Sequence, residues 1–266
     1  MASNNRMSGV LAPVITPFNA DLSPDAGRLA RHCEWLLRQD CGLAIFGTNS
    51  EANSLSLTER MQLLDAVVAA GIDPARMMPG TGVCAIPETV ELTRHAIAHG
   101  VGGVLMLPPF YFKGVSDEGL FRAYAEVIER VADDRLRIYL YHYTKMSGVP
   151  LGVELDCSLL DDYPGIVVGR KQSTCELANL ERMLAAFPDF AMFAGTESLL
   201  LANMRLGGAG CISATANINP AAIVRLFDEW KSAEAESQQE ALDRIRLFVQ
   251  GYPLVAALKA TLAHYG

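Results

Sequence analysis

The sequence predicts an α/β chain folded as a (β/α)8 TIM barrel with extra C-terminal helices, on three observations. Eight short apolar runs recur, at 10–18, 42–47, 77–82, 103–109, 137–143, 166–171, 190–195 and 210–214. Segments with apolar residues at helical spacing lie between them, for example 57–70, 88–99, 119–131 and 175–186. That alternation is the rhythm of βα units built on a parallel sheet. Finally, the first run ends in Thr16-Pro17-Phe18-Asn19, not in the glycine-rich phosphate turn that an open doubly wound sheet usually places there. Eight strand–helix units closed into a barrel fit this pattern better than an open sheet.

Each run reads as a wall strand buried on both faces, and barrel chemistry sits at the C-terminal strand ends. The run at 42–47 delivers Gly47-Thr48-Asn49-Ser50-Glu51, and the run at 77–82 delivers Gly80-Thr81-Gly82. The next two deliver Pro108-Pro109-Phe110-Tyr111 and Tyr139-Leu140-Tyr141-His142-Tyr143. The last three deliver Gly169-Arg170-Lys171-Gln172, Gly195-Thr196-Glu197 and Ser213-Ala214-Thr215. Gly207-Gly208-Ala209-Gly210 precedes the last run, so it falls at the closed face and reads as a tight turn. Beyond it the rhythm breaks. Residues 220–252 read as one or two charged helices and 253–264 as another. We therefore expect a catalytic barrel over 1–219 and a helical extension over 220–266 packed on it.

Composition narrows the function classes. Half of the 266 residues are hydrophobic, enough for a large core, and the net charge of −8 argues against a nucleic-acid partner. No apolar run reaches the length of a membrane span, and Met1 to Met7 is polar without a signal core, so a cytoplasmic protein is expected. The six cysteines form no C-x-x-C pair and read as reduced and mostly buried.

Lys171 is the odd residue among the strand ends. It closes the apolar stretch Ile166-Val167-Val168-Gly169, and a lysine facing a barrel core is costly while charged. A neutral amine attacks a carbonyl carbon and forms an imine. The competing reading is a lysine that reaches the rim or pairs with Glu51 or Glu197. Tyr141, one strand away at the same level, can pass protons to and from a carbinolamine. Thr48 can link that phenol to Tyr111 through hydroxyl hydrogen bonds. The Gly47-Thr48-Asn49 turn offers backbone N–H groups and a hydroxyl to a carboxylate.

Assembled in order, these segments resemble the dihydrodipicolinate synthase / N-acetylneuraminate lyase family of class I aldolases. Val14-Ile15-Thr16-Pro17-Phe18 is similar to its opening strand, Gly47-Thr48-Asn49-Ser50-Glu51 to its carboxylate turn, and Pro109-Phe110-Tyr111 to its P-Y-Y segment. Tyr141-His142 and Val168 to Lys171 resemble its tyrosine and Schiff-base strands, and 208–220 resembles its last strand and exit. The resemblance implies an imine between Lys171 and pyruvate or a longer 2-oxo acid, with Tyr141 as general acid and base. It implies that Thr48 and Tyr111 relay protons, Tyr111 entering from a neighbouring subunit of a homo-oligomer (tetramer or dimer). Thr48 and Asn49 would hold the carboxylate and Ile212 would line the pocket, with His142 as a further substrate contact. No metal or other cofactor is expected, because the protonated imine is itself the electron sink.

The departures lie around the second substrate. Thr144 stands at the family's proline position, and Met146 at the position of the arginine that holds a second carboxylate in the synthases. That argues against aspartate semialdehyde as the partner. Gln172 replaces an acidic residue, and Arg170, alternating with Lys171, should face the helices and needs a carboxylate there. His95 and His99 have the i, i+4 spacing of a metal pair but fall on the outer ring, so neither they nor the single strand-end His142 read as a metal centre. Two further readings stay open: a dehydratase or hydratase of 2-oxo-3-deoxy sugar acids using the same imine, and a non-catalytic ligand-binding barrel.

Overall fold

Strand and helix alternate along the computed structural model, which describes residues 6–174 and 176–265. The order is β1 (Gly9–Ala12), α1 (Ala26–Leu37), β2 (Gly42–Leu43), α2 (Leu57–Ala69), α3 (Ile86–Ala98), β3 (Val104–Met106) and α4 (Asp117–Val131). Then follow β4 (Ile138–His142), α5 (Thr144–Ser147), α6 (Val153–Asp162), β5 (Val167–Gln172), α7 (Leu177–Ala186), β6 (Ala191–Ala194), α8 (Leu200–Arg205) and β7 (Gly210–Ile212). Three helices end the chain: α9 (Pro220–Asp228), α10 (Ala235–Gln250) and α11 (Leu254–Tyr265). Cys175, one of the six cysteines read as reduced, and residues 1–5 and 266 lie outside the described residues. The other five cysteines are free thiols, Cys33, Cys41 and Cys211 being buried.

The strands pair in parallel in the order β2-β1-β7-β6-β5-β4-β3. Residues 77–81 fill the space between β2 and β3. The Met78 N–H donates to Leu43 O at 2.7 Å and the Gly80 N–H to Ile45 O at 2.7 Å. On the other side the Leu105 N–H donates to Pro79 O at 2.9 Å. Hydrogen bonds thus run around eight wall segments, and each coincides with one of the eight apolar runs. Alternation then sorts the side chains. Leu11, Leu105, Tyr139, Phe193 and Ile212 fill the barrel interior, while Val10, Leu43, Met106 and Leu140 face the helices.

Local signals start the helices where their side chains can cap them. Asp25 accepts the Arg28 N–H at 2.8 Å ahead of α1, and Ser56 and Glu59 form a reciprocal capping box ahead of α2. Ser116 does the same for α4 through the Gly119 N–H.

One irregularity positions the site. Between β4 and β5 the register shifts: Ile138 lies opposite Val167, but Tyr139 lies opposite Gly169. This bulge at Val168 advances β5 by one residue. Lys171, and not Arg170, therefore comes opposite Tyr141 on the inner face. Glycine is required there. A Cβ on Gly169 would sit 2.5 Å from both Ala191 O and the Tyr139 ring. Gly169→Ala is accordingly expected to destabilise the fold by about 1–3 kcal/mol, read as a lower urea midpoint with unchanged slope; a midpoint equal to wild type would remove the steric account.

α9 packs on β1 and buries Ile223 and Leu226. It also packs against α8, on the outer side of the last strands. α10 packs beside α9, and Leu258 of α11 packs with Ile15 and Ala214, just past the ends of β1 and β7.

Candidate active site

Lys171 and Tyr141 are neighbours in register on β5 and β4, both buried, with Lys171 4% exposed. The Lys171 Nζ donates to the Tyr141 Oη at 3.2 Å and lies 4.3 Å from the ring centroid. The Tyr141 Oη is in turn 3.3 Å from the Thr48 Oγ1. Tyr143 stacks on Tyr141 with centroids 5.9 Å apart and fixes the ring plane. Neither carboxylate considered as a partner for Lys171 engages it. Glu51 pairs with Lys259 of α11, and Glu197 accepts from Ser213 and Thr215 and faces Arg246 of α10 at 3.5 Å. Among the described residues no ion pair holds Lys171. Its amine meets a phenol oxygen and an apolar wall that includes Ile212, which suits a nucleophile with an acid/base beside it.

The 47–51 turn is tied to the first strand by Ser50. The Ser50 hydroxyl donates to Val14 O and accepts the Gly47 N–H at 3.2 Å, while Thr16 Oγ1 donates to Ser50 O at 2.7 Å. Glu51 adopts left-handed backbone, φ 54°, and Lys259 reaches across to it from α11. Thr48 and Asn49 are left half-buried at the lip. Their backbone N–H groups have no acceptor among the described residues, so they are free for an anion.

Tyr111 and His142 lie away from the Lys171 amine within one chain, and an outward Tyr111 is where a residue serving a neighbouring subunit would stand. Tyr111 is 74% exposed, its ring packs on Phe112, and no hydrogen bond joins it to Thr48 among the described residues. Within one chain the hydroxyl relay ends at Thr48. His142 is turned to the helix layer with Arg170 and Gln172, because it alternates with the inward Tyr141 and Tyr143. His142 Nε2 is buried and has no hydrogen-bond partner among the described residues.

The helix-facing groups form a buried network. Arg170 pairs with Asp156 of α6, donates to Leu151 O at 3.1 Å, and donates through Nε to Gln172 Oε1 at 2.9 Å. Gln172 Nε2 donates to Thr174 Oγ1 at 2.8 Å, which leaves Oε1 to face His142 Nδ1 at 3.0 Å. His142 Nδ1 must then carry the proton. Asp156 is the partner Arg170 requires, and its sequence signal is an acid between Leu155 and Leu159 on the apolar face of α6. Burial, reinforced by the Arg170 charge, pushes the His142 imidazole down from 6.5 to about 4. The unfolded chain takes up this proton below about 6.5 and the folded chain only below about 4, so stability is lost as pH falls through that window. Wild type should therefore lose more stability between pH 6.5 and 4 than His142→Asn, measured by urea midpoints; parallel curves would contradict the placement.

Sequence reasoning passed over Lys113. Its Nζ donates to Ser147 O at 2.6 Å and also to Phe110 O, tying the loop after β3 to α5. In α5, Met146 is 59% exposed. His95 lies in α3 and His99 caps its C-terminus, in the outer layer.

The family model described as "Dihydrodipicolinate synthetase family" matches residues 6–266. Among curated proteins, the chain is 34% identical over 234 residues to the 4-hydroxy-tetrahydrodipicolinate synthase of Thermus thermophilus, spanning 87% of this chain and 77% of that one. Among solved structures, dihydrodipicolinate synthase from Agrobacterium tumefaciens superposes with a TM-score of 0.88 at 32% identity, covering 96% of this chain and 88% of that one. YagE, a prophage protein from E. coli K12 solved in complex with pyruvate, does so with a TM-score of 0.88 at 28% identity, covering 96% and 87%. The chain belongs to the dihydrodipicolinate synthetase family, whose members are lyases of the pyruvate-dependent, Schiff-base class I aldolase type.

Proposed function

We propose that this chain makes or cleaves a carbon–carbon bond through an imine between Lys171 and pyruvate, or the 2-oxo end of a longer acid. The observation that carries this is the Lys171 Nζ to Tyr141 Oη contact of 3.2 Å, on a buried inner wall where Lys171 has no ion-pair partner among the described residues. The amine attacks the C2 carbonyl, Tyr141 delivers the proton that lets water leave, and the protonated imine draws electrons from C3. In the cleavage direction Tyr141, left as the phenolate, takes the C4 hydroxyl proton while the C3–C4 electron pair flows into the iminium; C4 leaves as an aldehyde, and the enamine takes a proton at C3 before hydrolysis releases pyruvate. Thr48 and Asn49 hold the carboxylate of the 2-oxo acid, and Ile212 packs against the imine.

The exposed Tyr111 is the proton relay of a second copy, so the working enzyme is a homo-oligomer, a dimer or tetramer. Residues 144–147 choose the second substrate. Met146 offers no charge to a second carboxylate, which favours a neutral hydroxylated aldehyde. We place the enzyme in the cytoplasm and assign the reaction no metal or cofactor; no helix among the described residues is long and apolar enough to cross a membrane.

Product analysis tests this reading against the dehydratase. Incubation with a panel of 2-oxo-3-deoxy sugar acids is expected to release pyruvate and an aldehyde in equal amounts. Loss of water with the carbon chain intact would replace the aldolase by a dehydratase, and no turnover in either direction would favour a binding protein.

A further inference from the structure

α2 and α3 lie side by side in the outer helical layer. Asp65 belongs to α2, while His95 of α3 and His99, the residue that caps α3, are about one helical turn apart. Their donor atoms converge. His95 Nε2 is 2.9 Å and His99 Nε2 is 2.6 Å from the same oxygen, Asp65 Oδ1. All three ligand atoms lie within 4.8 Å of one another. The two rings meet edge to face, centroids 4.9 Å apart, which lets both nitrogens point at one centre.

Hydrogen bonding to Asp65 accounts for only one of the two histidines. His99 makes a hydrogen bond to Asp65. His95 Nε2 is buried and makes none, although the carboxylate oxygen is close. In a neutral imidazole one ring nitrogen carries the proton and the other offers a lone pair, so His95 Nε2 can serve as a ligand in the tautomer protonated at Nδ1. The imidazoles are 24% and 25% exposed and the carboxylate 52%, so the cluster is shielded by the helices and open to a solvent ion on its outer side.

We propose that Asp65, His95 and His99 bind a divalent transition-metal ion of the zinc class, through two Nε2 atoms and one carboxylate oxygen, with water as the fourth ligand. Two neutral imidazoles and one carboxylate suit zinc better than magnesium or calcium, which take oxygen ligands. Tetrahedral bonds of about 2.0–2.2 Å set the ligand atoms roughly 3.4 Å apart. The separations here, from 2.6 Å up to at most 4.8 Å, bracket that value, so side-chain rotation alone closes the site. The ion clamps α2 to α3. It sits outside the wall, whereas Lys171 faces the interior, so it is a staple of the fold and takes no part in the imine chemistry.

The test uses the full chain, treated with a chelator that is then removed, and titrated with Zn2+ against a chromophoric competitor. One ion per chain is expected, with affinity reduced at least about tenfold by each of Asp65→Ala, His95→Ala and His99→Ala. Co2+ should give the visible bands of a tetrahedral nitrogen and oxygen site without a thiolate band. Zn2+ should raise the melting midpoint of wild type and leave that of the His95→Ala/His99→Ala variant unchanged. Absence of uptake, uptake equal in that double variant, or a thiolate band from the exposed Cys84 or Cys157 would overturn the site. Where an alanine variant fails to fold by circular dichroism, Asp65→Asn and His99→Gln, which keep a polar contact between the helices, decide in its place.

Discussion

Lys171→Ala should abolish turnover, lowering kcat by at least about 10⁴-fold, because losing a covalent nucleophile removes the reaction path and not one contact along it. Binding of the 2-oxo acid should survive in weakened form, since Thr48 and Asn49 are untouched. Lys171→Arg separates charge from chemistry: the guanidinium keeps a cation near Tyr141 but cannot form the imine, and it should be as inactive as alanine. Rates for either variant within about tenfold of wild type would show that an imine on Lys171 does not lie on the reaction path.

The second large effect is on stability. Asp156→Ala should cost about 3–5 kcal/mol, because it leaves the Arg170 guanidinium buried and uncompensated. Both side chains are almost completely buried, Arg170 at 2% and Asp156 at 0% exposure, so water cannot take the place of the lost carboxylate. The melting midpoint should fall by roughly 6–20 °C. The paired replacement Asp156→Leu with Arg170→Met should be less damaging than the single one, since it removes both charges. Burial holds the Asp156 carboxyl up, to about 6, against the opposing pull of Arg170. Arg170 adjoins Lys171 on β5, so this pair also anchors the strand that carries the nucleophile. A single variant as stable as wild type would mean that the pair does not bear on the fold.

The eight wall segments were legible because buried parallel strands read as apolar runs, and all eight runs lie in the wall. Lys171, Tyr141 and Thr48 were legible for a related reason: strand ends on one face of a barrel converge, so residues far apart in sequence can be placed at one level. The bulge at Val168 was not legible. Nothing in Val167-Val168-Gly169 distinguishes one register from the next, and it depends on how Gly169 fits between Tyr139 and Ala191 O. The need of Arg170 for a carboxylate was readable from alternation, but the identity of Asp156 was not, because it depends on how α6 rotates against β5. The Gln172 partner of His142 was not legible, because it depends on the same bulged register. Tyr111 was readable as a phenol at a strand end, but the loop that turns it outward is held by Lys113 and Ser147, residues 34 apart in sequence.

The most direct measurement of the central claim is trapping with borohydride. The protein is incubated with pyruvate, reduced, digested and mapped by mass spectrometry. A reduced pyruvyl adduct on the peptide carrying Lys171, absent from Lys171→Ala, is the expected result. An adduct on another lysine, or none with pyruvate or any longer 2-oxo acid while the protein remains folded, would contradict it.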